Sequence, residues 1–292
     1  MIDVVKYSDK DQILFSEETQ TVNGVKVSDY VMVGNKTYYK GKQLGEGGQG
    51  VVYQYRAHKN QLGIAVKYYL GEADREDSIY EHLIKNDAEY CNIIPVVARA
   101  TPGRGKIEYL FVMPEMHGDL EDYLDKFDRP KTNQDFKRLF TIYNKVKQSV
   151  VCLAEFYFYY LDLKPEQVLY VKNPKTELGI DLYLGDLGSV VNGNNLYPKF
   201  AIYTFPHPRR CKGNLEHNSK RHLDWALGVF ALLIADDKLD RFFDPKYCSK
   251  WTKDIEALSD IIDATYPVNI EYSNYLNKEV KYLLYVSNIM KS

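Results

Sequence analysis

A carboxylate at Asp162, an ammonium at Lys164 and an amide at Gln167 lie on one short stretch, Tyr160-Leu161-Asp162-Leu163-Lys164-Pro165-Glu166-Gln167. A proline closes the turn, and the apolar run Val168-Leu169-Tyr170-Val171 reads as a strand that would hold it. Such a turn offers a general base, a cation for developing negative charge and an oxygen ligand for a hard metal ion. Three further features carry the same kind of chemistry. Leu44-Gly45-Glu46-Gly47-Gly48-Gln49-Gly50-Val51-Val52 could present backbone N–H groups to phosphate. Lys67 stands inside the apolar run Ile64-Ala65-Val66-Lys67-Tyr68, where its charge needs an anionic partner. Asp186 follows the run Leu182-Tyr183-Leu184 in Gly185-Asp186-Leu187-Gly188 and places a carboxylate at the end of an expected strand.

The elements around these residues decide among the chemistries. A G-x-G-x-x-G spacing serves dinucleotide folds only when a helix follows. Here Val51 to Arg56 is β-branched and aromatic, which predicts a strand. No Lys-Ser/Thr follows Gly50, so a Walker-type loop is excluded. The reading is therefore strand, glycine turn, strand. Upstream, Asn23-Gly24 and Gly34-Asn35 each separate apolar or β-branched runs and predict two hairpins, an ordered β extension over residues 1–39. Residues 72–87 carry helix-forming charges, and Pro102-Gly103-Arg104-Gly105 predicts a turn between two strands. A long helix is expected over 133–158, with Phe136, Leu139, Phe140, Tyr143, Val146, Val150 and Leu153 on its core face. His222 to Val229 opens a helix apolar nearly all round, as a central buried helix must be. Two amphipathic helices are expected around Trp251–Ile262 and Val280–Ile289.

In this order the motifs resemble those of the protein kinase superfamily over roughly residues 40–292, in a divergent serine/threonine-type form. The 160–167 stretch resembles H-R-D-L-K-x-x-N, and Ile64–Lys67 resembles V-A-I-K. Gly185–Gly188 resembles D-F-G with leucine for phenylalanine, and Val112–Leu120 resembles the hinge. The resemblance implies an α+β, bilobal fold with ATP between the lobes: a β-rich N-lobe over 40–115, preceded by the 1–39 extension, and a mainly helical C-lobe over 116–292. It implies Asp162, Lys164 and Lys67 as catalytic residues, with Asp186 and Gln167 holding Mg²⁺ (or Mn²⁺). ATP would meet Leu44, Gly45, Glu46, Gly47, Gly48, Gln49, Gly50, Val52, Ala65, Lys67, Glu81, Met113, Pro114, Met116, Asp119 and Leu169. Glu81 is the expected partner of Lys67, with Glu76 as competitor. Asp119 reaches the ribose or caps the following helix.

The lysine two places after Asp162 matches serine/threonine kinases and argues against both the tyrosine and the small-molecule types. Transfer of the γ-phosphoryl group to a protein hydroxyl is the implied reaction, and an ATP-binding pseudokinase scaffold is the alternative. Several positions depart from the family. Leu161 replaces the arginine that would pair with an activation-segment phosphate, so activity is expected not to require that modification. Gln167 adds a methylene to the usual asparagine and should weaken or shift a second metal site. Tyr203–Pro208 stands where A-P-E would be, and Asp224 falls one place later than the aspartate of D-x-W-x-x-G, where Leu223 stands.

Composition sets the outer bounds. The 292 residues carry a net charge of −2, with 45% hydrophobic and 27% charged residues, and this predicts neither a nucleic acid nor an anionic membrane as partner. No apolar run is long enough to span a bilayer. Cys91, Cys152, Cys211 and Cys248 are scattered without a C-x-x-C pair and read as reduced thiols. The expected location is the cytoplasm, or a host's cytoplasm if a pathogen encodes the chain. The expected partner is a protein substrate, and the sequence carries no signal for an oligomeric state.

Overall fold

The computed structural model describes residues 13–16, 19–22, 25–47, 50–59, 61–69, 74–86, 91–100, 110–126, 130–193, 219–242 and 255–289. The chain divides into two compact units, Met1–His117 and Gly118–Ser292.

The first unit is built on an antiparallel sheet. Its strands are β1 (Ile13–Phe15), β4 (Tyr30–Val33), β5 (Lys36–Gly47), β6 (Gly50–Arg56), β7 (Ile64–Tyr69), β8 (Ala98–Ala100) and β9 (Leu110–Pro114), in the order β1-β4-β5-β6-β7-β9-β8. A separate hairpin joins β2 (Thr19–Val22) to β3 (Val25–Ser28), with Val22 opposite Val25 across the expected Asn23-Gly24 turn, whose two residues lie outside the described ones. The Gly34-Asn35 turn links β4 to β5. Gly34 has φ +57°, a conformation that costs glycine nothing and a β-branched residue a good deal.

Strands of the 1–39 extension belong to this sheet and to its core. Val27, Val31 and Val33 are buried in one cluster with Val51, Tyr55, Ile64, Val66, Tyr68 and Val112. The Tyr55 hydroxyl donates to the Ser28 carbonyl at 2.6 Å and lies 2.6 Å from the Tyr68 hydroxyl. Burial, with the neighbouring Tyr68 hydroxyl adding to it, holds the Tyr55 phenol in its neutral form far above the ordinary tyrosine range. The single helix described in this unit, α1 (Asp74–Lys85), turns Glu76, Ile79, Tyr80 and Leu83 to the interior, the i, i+3, i+4, i+7 face of an amphipathic helix.

The second unit is mainly helical. A short strand β10 (Gly118–Asp119) leads into α2 (Leu120–Leu124), then α3 (Asn133–Glu155), which Thr132 starts with a reciprocal capping box to Asp135. β11 (Phe158–Tyr160), β12 (Val168–Lys172), β13 (Ile180–Leu184) and β14 (Val190–Asn192) follow. β12 pairs with β10 and β13, and β11 pairs with β14. The helices α4 (Ser219–Leu233), α5 (Ile255–Thr265) and α6 (Glu271–Ile289) complete it. α4 is buried almost throughout, from Leu223 to Leu233. No helix among the described residues is long and apolar enough to cross a membrane.

One expectation fails here. Cys91 and Cys152 are both disulfide-bonded rather than reduced, and no cysteine among the described residues is free. Spacing along a sequence carries no information on which thiols a fold brings together. Bonded cysteines give no support to a reducing compartment.

Candidate active site

In the first unit the glycine stretch forms the tip of the β5–β6 hairpin, with Gly45 opposite Val52, Glu46 opposite Val51 and Gly47 opposite Gly50. Leu44 to Gly47 are exposed, and Gly48 and Gln49 lie outside the described residues. Gly50 is required by close approach: a Cβ there would lie 2.0 Å from the Tyr68 carbonyl oxygen. Lys67 stands on β7 between Val52 of β6 and Phe111 of β9, and Ala65 on the same strand faces Met113.

The Lys67 ammonium donates to Glu76 Oε2 at 2.8 Å, and both side chains are largely buried. The carboxylate that meets Lys67 is thus Glu76, the competitor, where Glu81 was expected. The reason is helix phase. The two glutamates are five residues apart, about 140° around a helix with 3.6 residues per turn, so only one can share the buried face of Ile79, Tyr80 and Leu83. Glu76 is 4% exposed, while Glu81 sits half-exposed off that face and Lys85 is exposed. The apolar phase Ile79-Tyr80-Leu83 was present in the sequence and would have selected Glu76. The Tyr69 hydroxyl also donates to Glu76 Oε2.

The stretch after β9 holds a residue that the motif reading missed. Met113 and Pro114 are buried at the end of β9 and Met116 is half-buried. Between them Glu115, 2% exposed, accepts from Gln54 Nε2 at 2.6 Å, Arg56 Nε at 2.8 Å, Arg56 Nη2 at 2.5 Å and the Gly63 amide at 2.8 Å. Its own amide donates to the Gly63 carbonyl at 3.1 Å. The signal was a lone carboxylate in the apolar run Leu110–Met116, which physical chemistry obliges to find donors.

In the second unit the two carboxylate stretches are sewn together. Gln167 is at the end of the single turn Pro165–Gln167, and its amide donates to the Lys164 carbonyl at 3.1 Å. Its carbonyl accepts from the Gly185 amide at 2.9 Å, next to the β12–β13 ladder that sets Leu169 opposite Tyr183. Asp162 is 8% exposed, and Gln167 Nε2 lies 3.5 Å from its Oδ2. Lys164 is half-buried. The Tyr160 hydroxyl, fully buried, donates to the Gly185 carbonyl at 2.5 Å and reaches the Asp186 carbonyl at 3.4 Å. Asp186 is exposed and left-handed (φ 47°, ψ 63°), a conformation that a non-glycine residue keeps only when its surroundings impose it.

The residues fit a hard cation. Gln167 Oε1 is buried without a hydrogen-bond partner among the described residues, an acceptor oxygen of the kind that Mg²⁺ takes. Asp186, one residue beyond the amide that bonds to Gln167, carries a carboxylate. Asp119 caps α2 by accepting from the Asp122 amide at 2.8 Å. Burial is the largest influence and, with the charges of Asp122 and Glu166, raises its carboxyl above the usual range against the lowering effect of the Asp122 and Glu121 amides.

A protein kinase domain model matches residues 38–286. The chain belongs to the protein kinase family. No curated protein is found to match it as a relative. The kinase match begins at the third residue of β5, so β1 to β4 lie before it although β1 and β4 extend the same sheet. Leu161, in the place of the family's arginine, is buried at 6%. Leu223 is buried, and Asp224 lies in the field of Lys220, of Lys147 on α3 and of Glu279 on α6; burial is the largest influence and raises its carboxyl. The Tyr203–Pro208 segment is outside the described residues.

The kinase's Tyr160 carries a prediction. Tyr160→Phe would leave the Gly185 carbonyl buried without its donor, at a cost of about 1–3 kcal/mol, and would release Asp186. Urea denaturation should show that loss, and a magnesium titration of activity should shift to higher metal. Wild-type behaviour in both would mean that the hydroxyl holds nothing.

Proposed function

We propose that this kinase transfers the γ-phosphoryl group of ATP to serine and threonine hydroxyls of protein substrates. The observation that carries the reading is the second unit's arrangement of Asp162, the unpartnered Gln167 Oε1 and the left-handed Asp186, held by the Gly185–Gln167 hydrogen bond and the Tyr160 hydroxyl. Asp162 orients the substrate hydroxyl and accepts its proton as the oxygen forms its bond to the γ-phosphorus. The bond from that phosphorus to the β–γ bridging oxygen breaks, and ADP leaves. Lys164 neutralises charge on the group in transit. Lys67, held by Glu76, binds the α- and β-phosphates. The backbone amides of 45–50 cover them, with Leu44, Val52, Ala65, Met113, Pro114, Met116 and Leu169 among the ATP contacts. Asp186 and Gln167 would hold Mg²⁺, which when bound would neutralise charge on the phosphate oxygens.

The buried Leu161 supports the finer proposal that activity does not wait for a phosphate on the activation segment, since no arginine is present there to receive one. The test is transfer from labelled ATP to mixed protein substrates, with phosphoamino-acid analysis, before and after phosphatase treatment of the enzyme. Label is expected on serine and threonine, at a rate that treatment leaves unchanged, and none with Asp186→Ala. Phosphotyrosine would overturn the specificity, and activity lost on treatment would overturn the independence. Nucleotide binding without transfer would favour an ATP-binding scaffold, the reading that Leu161 and the displaced Asp224 would otherwise suit.

A further inference from the structure

Lys67 and Tyr69 are two residues apart on β7, so their side chains leave the same face of the strand. The Lys67 ammonium lies 4.8 Å from the centroid of the Tyr69 ring, within the range of a cation–π contact. Lys67 Nζ and the Tyr69 hydroxyl both donate to the same oxygen, Glu76 Oε2. Tyr69 is 3% exposed. Its ring meets Phe111 edge-on at 5.3 Å and 79°, and Phe111 meets Tyr80 of α1 in the same manner at 5.4 Å and 80°.

These contacts give the lysine–glutamate pair a third member. Glu76 belongs to the first turn of α1, where a helix is held by the fewest of its own hydrogen bonds. A single ion pair from a strand to such a residue leaves the carboxylate free to swing about the ammonium. A second donor, fixed on a rigid ring at the other side of the same oxygen, removes that freedom. We infer that Tyr69 is a positioning residue of this kinase: its hydroxyl orients Glu76 so that the carboxylate holds Lys67, and its ring supports the ammonium from beside. The aromatic stack Tyr69–Phe111–Tyr80 ties the same strand to the next turn of α1, so helix and lysine are set together. The inference rests on the reading of Lys67 as the phosphate-binding lysine.

Tyr69→Phe separates the role from packing, because it keeps the ring beside Lys67 and the edge contact to Phe111 and removes only the hydroxyl. The expected result is a rise of about tenfold in KM for ATP, the range for losing a hydrogen bond to a charged group, with a smaller change in kcat. Hydrogen–deuterium exchange should accelerate in residues 74–85 of the intact protein. In a Glu76→Gln background the same substitution should add nothing to KM, since Tyr69 acts through Glu76. Effects that multiply in the double variant would overturn the inference, as would unchanged KM and unchanged exchange in Tyr69→Phe. Wild-type protein that binds no ATP would instead overturn the assignment of Lys67, and the exchange of 74–85 would still judge whether Tyr69 orients Glu76.

Discussion

Asp162→Asn is expected to lower the turnover of phosphoryl transfer by about 10²–10⁴-fold, the range attributed to a positioned general base, while the affinity for ATP stays at the wild-type value. The amide keeps the size of the carboxylate and can still meet Gln167, whose Nε2 is 3.5 Å from Asp162 Oδ2, a long and weak contact. What it cannot do is take a proton. Turnover and nucleotide binding therefore part company in this variant, whereas a general loosening of the site would impair both. Single-turnover transfer with saturating ATP, beside a direct binding titration, reads the two separately. Transfer at the wild-type rate would remove Asp162 from the chemistry, and with it the reading of the 160–167 stretch as the catalytic loop.

Glu115→Ala is expected to cost about 3–5 kcal/mol of stability, the range for breaking a buried ion pair by deleting one partner. The lower end applies, because the Arg56 side chain is 33% exposed and can rehydrate. The loss takes the acceptor from four donors at once: Gln54 Nε2, two nitrogens of Arg56 and the Gly63 amide. Against a typical total of about 5–15 kcal/mol this is a large fraction, and urea denaturation at neutral pH measures it. The sign with pH follows from the carboxylate. Burial is the largest single influence on Glu115 and raises its pKa, but the hydrogen bonds from Arg56, Gly63 and Gln54, with the Arg56 charge, together outweigh it. The folded-state value lies below the ordinary 4.5. A depressed pKa contributes stability that is present above the unfolded value and lost as pH falls through the folded one. The gap between wild type and Glu115→Ala should therefore be widest at neutral pH and should narrow as pH falls below 4.5. A gap that does not change with pH would mean that Glu115 is not held as a buried, paired carboxylate.

The family and most of the candidate residues of the second unit were legible in the chain because their signals are local. A glycine run followed by a β-branched stretch makes a hairpin tip and not a helix start, through the conformational preferences of the residues themselves. Asp162, Lys164 and Gln167 share one turn, and Gly185-Asp186 ends the neighbouring strand of a short β pair, so their proximity needs only the β12–β13 ladder to form. Lys67 was readable for a related reason, as a charge in an apolar strand must be answered by something.

What answers it was decided by the tertiary structure. Glu76 and Glu81 are chemically the same; the apolar phase of α1 favours the first, and packing against the sheet brings Lys67 and the Tyr69 hydroxyl to it. Glu115 gathers donors from Gln54, Arg56 and Gly63, more than fifty residues earlier in the chain, a meeting that no local pattern encodes. The same holds for Val27, Val31 and Val33, which lie before the kinase match and yet complete its core, and for the bonded cysteines. Sequence by itself determined which groups could carry phosphoryl chemistry and the order of the elements that bear them. The partners that hold those groups in place depend on packing between segments distant in the chain, and only the folded structure sets that.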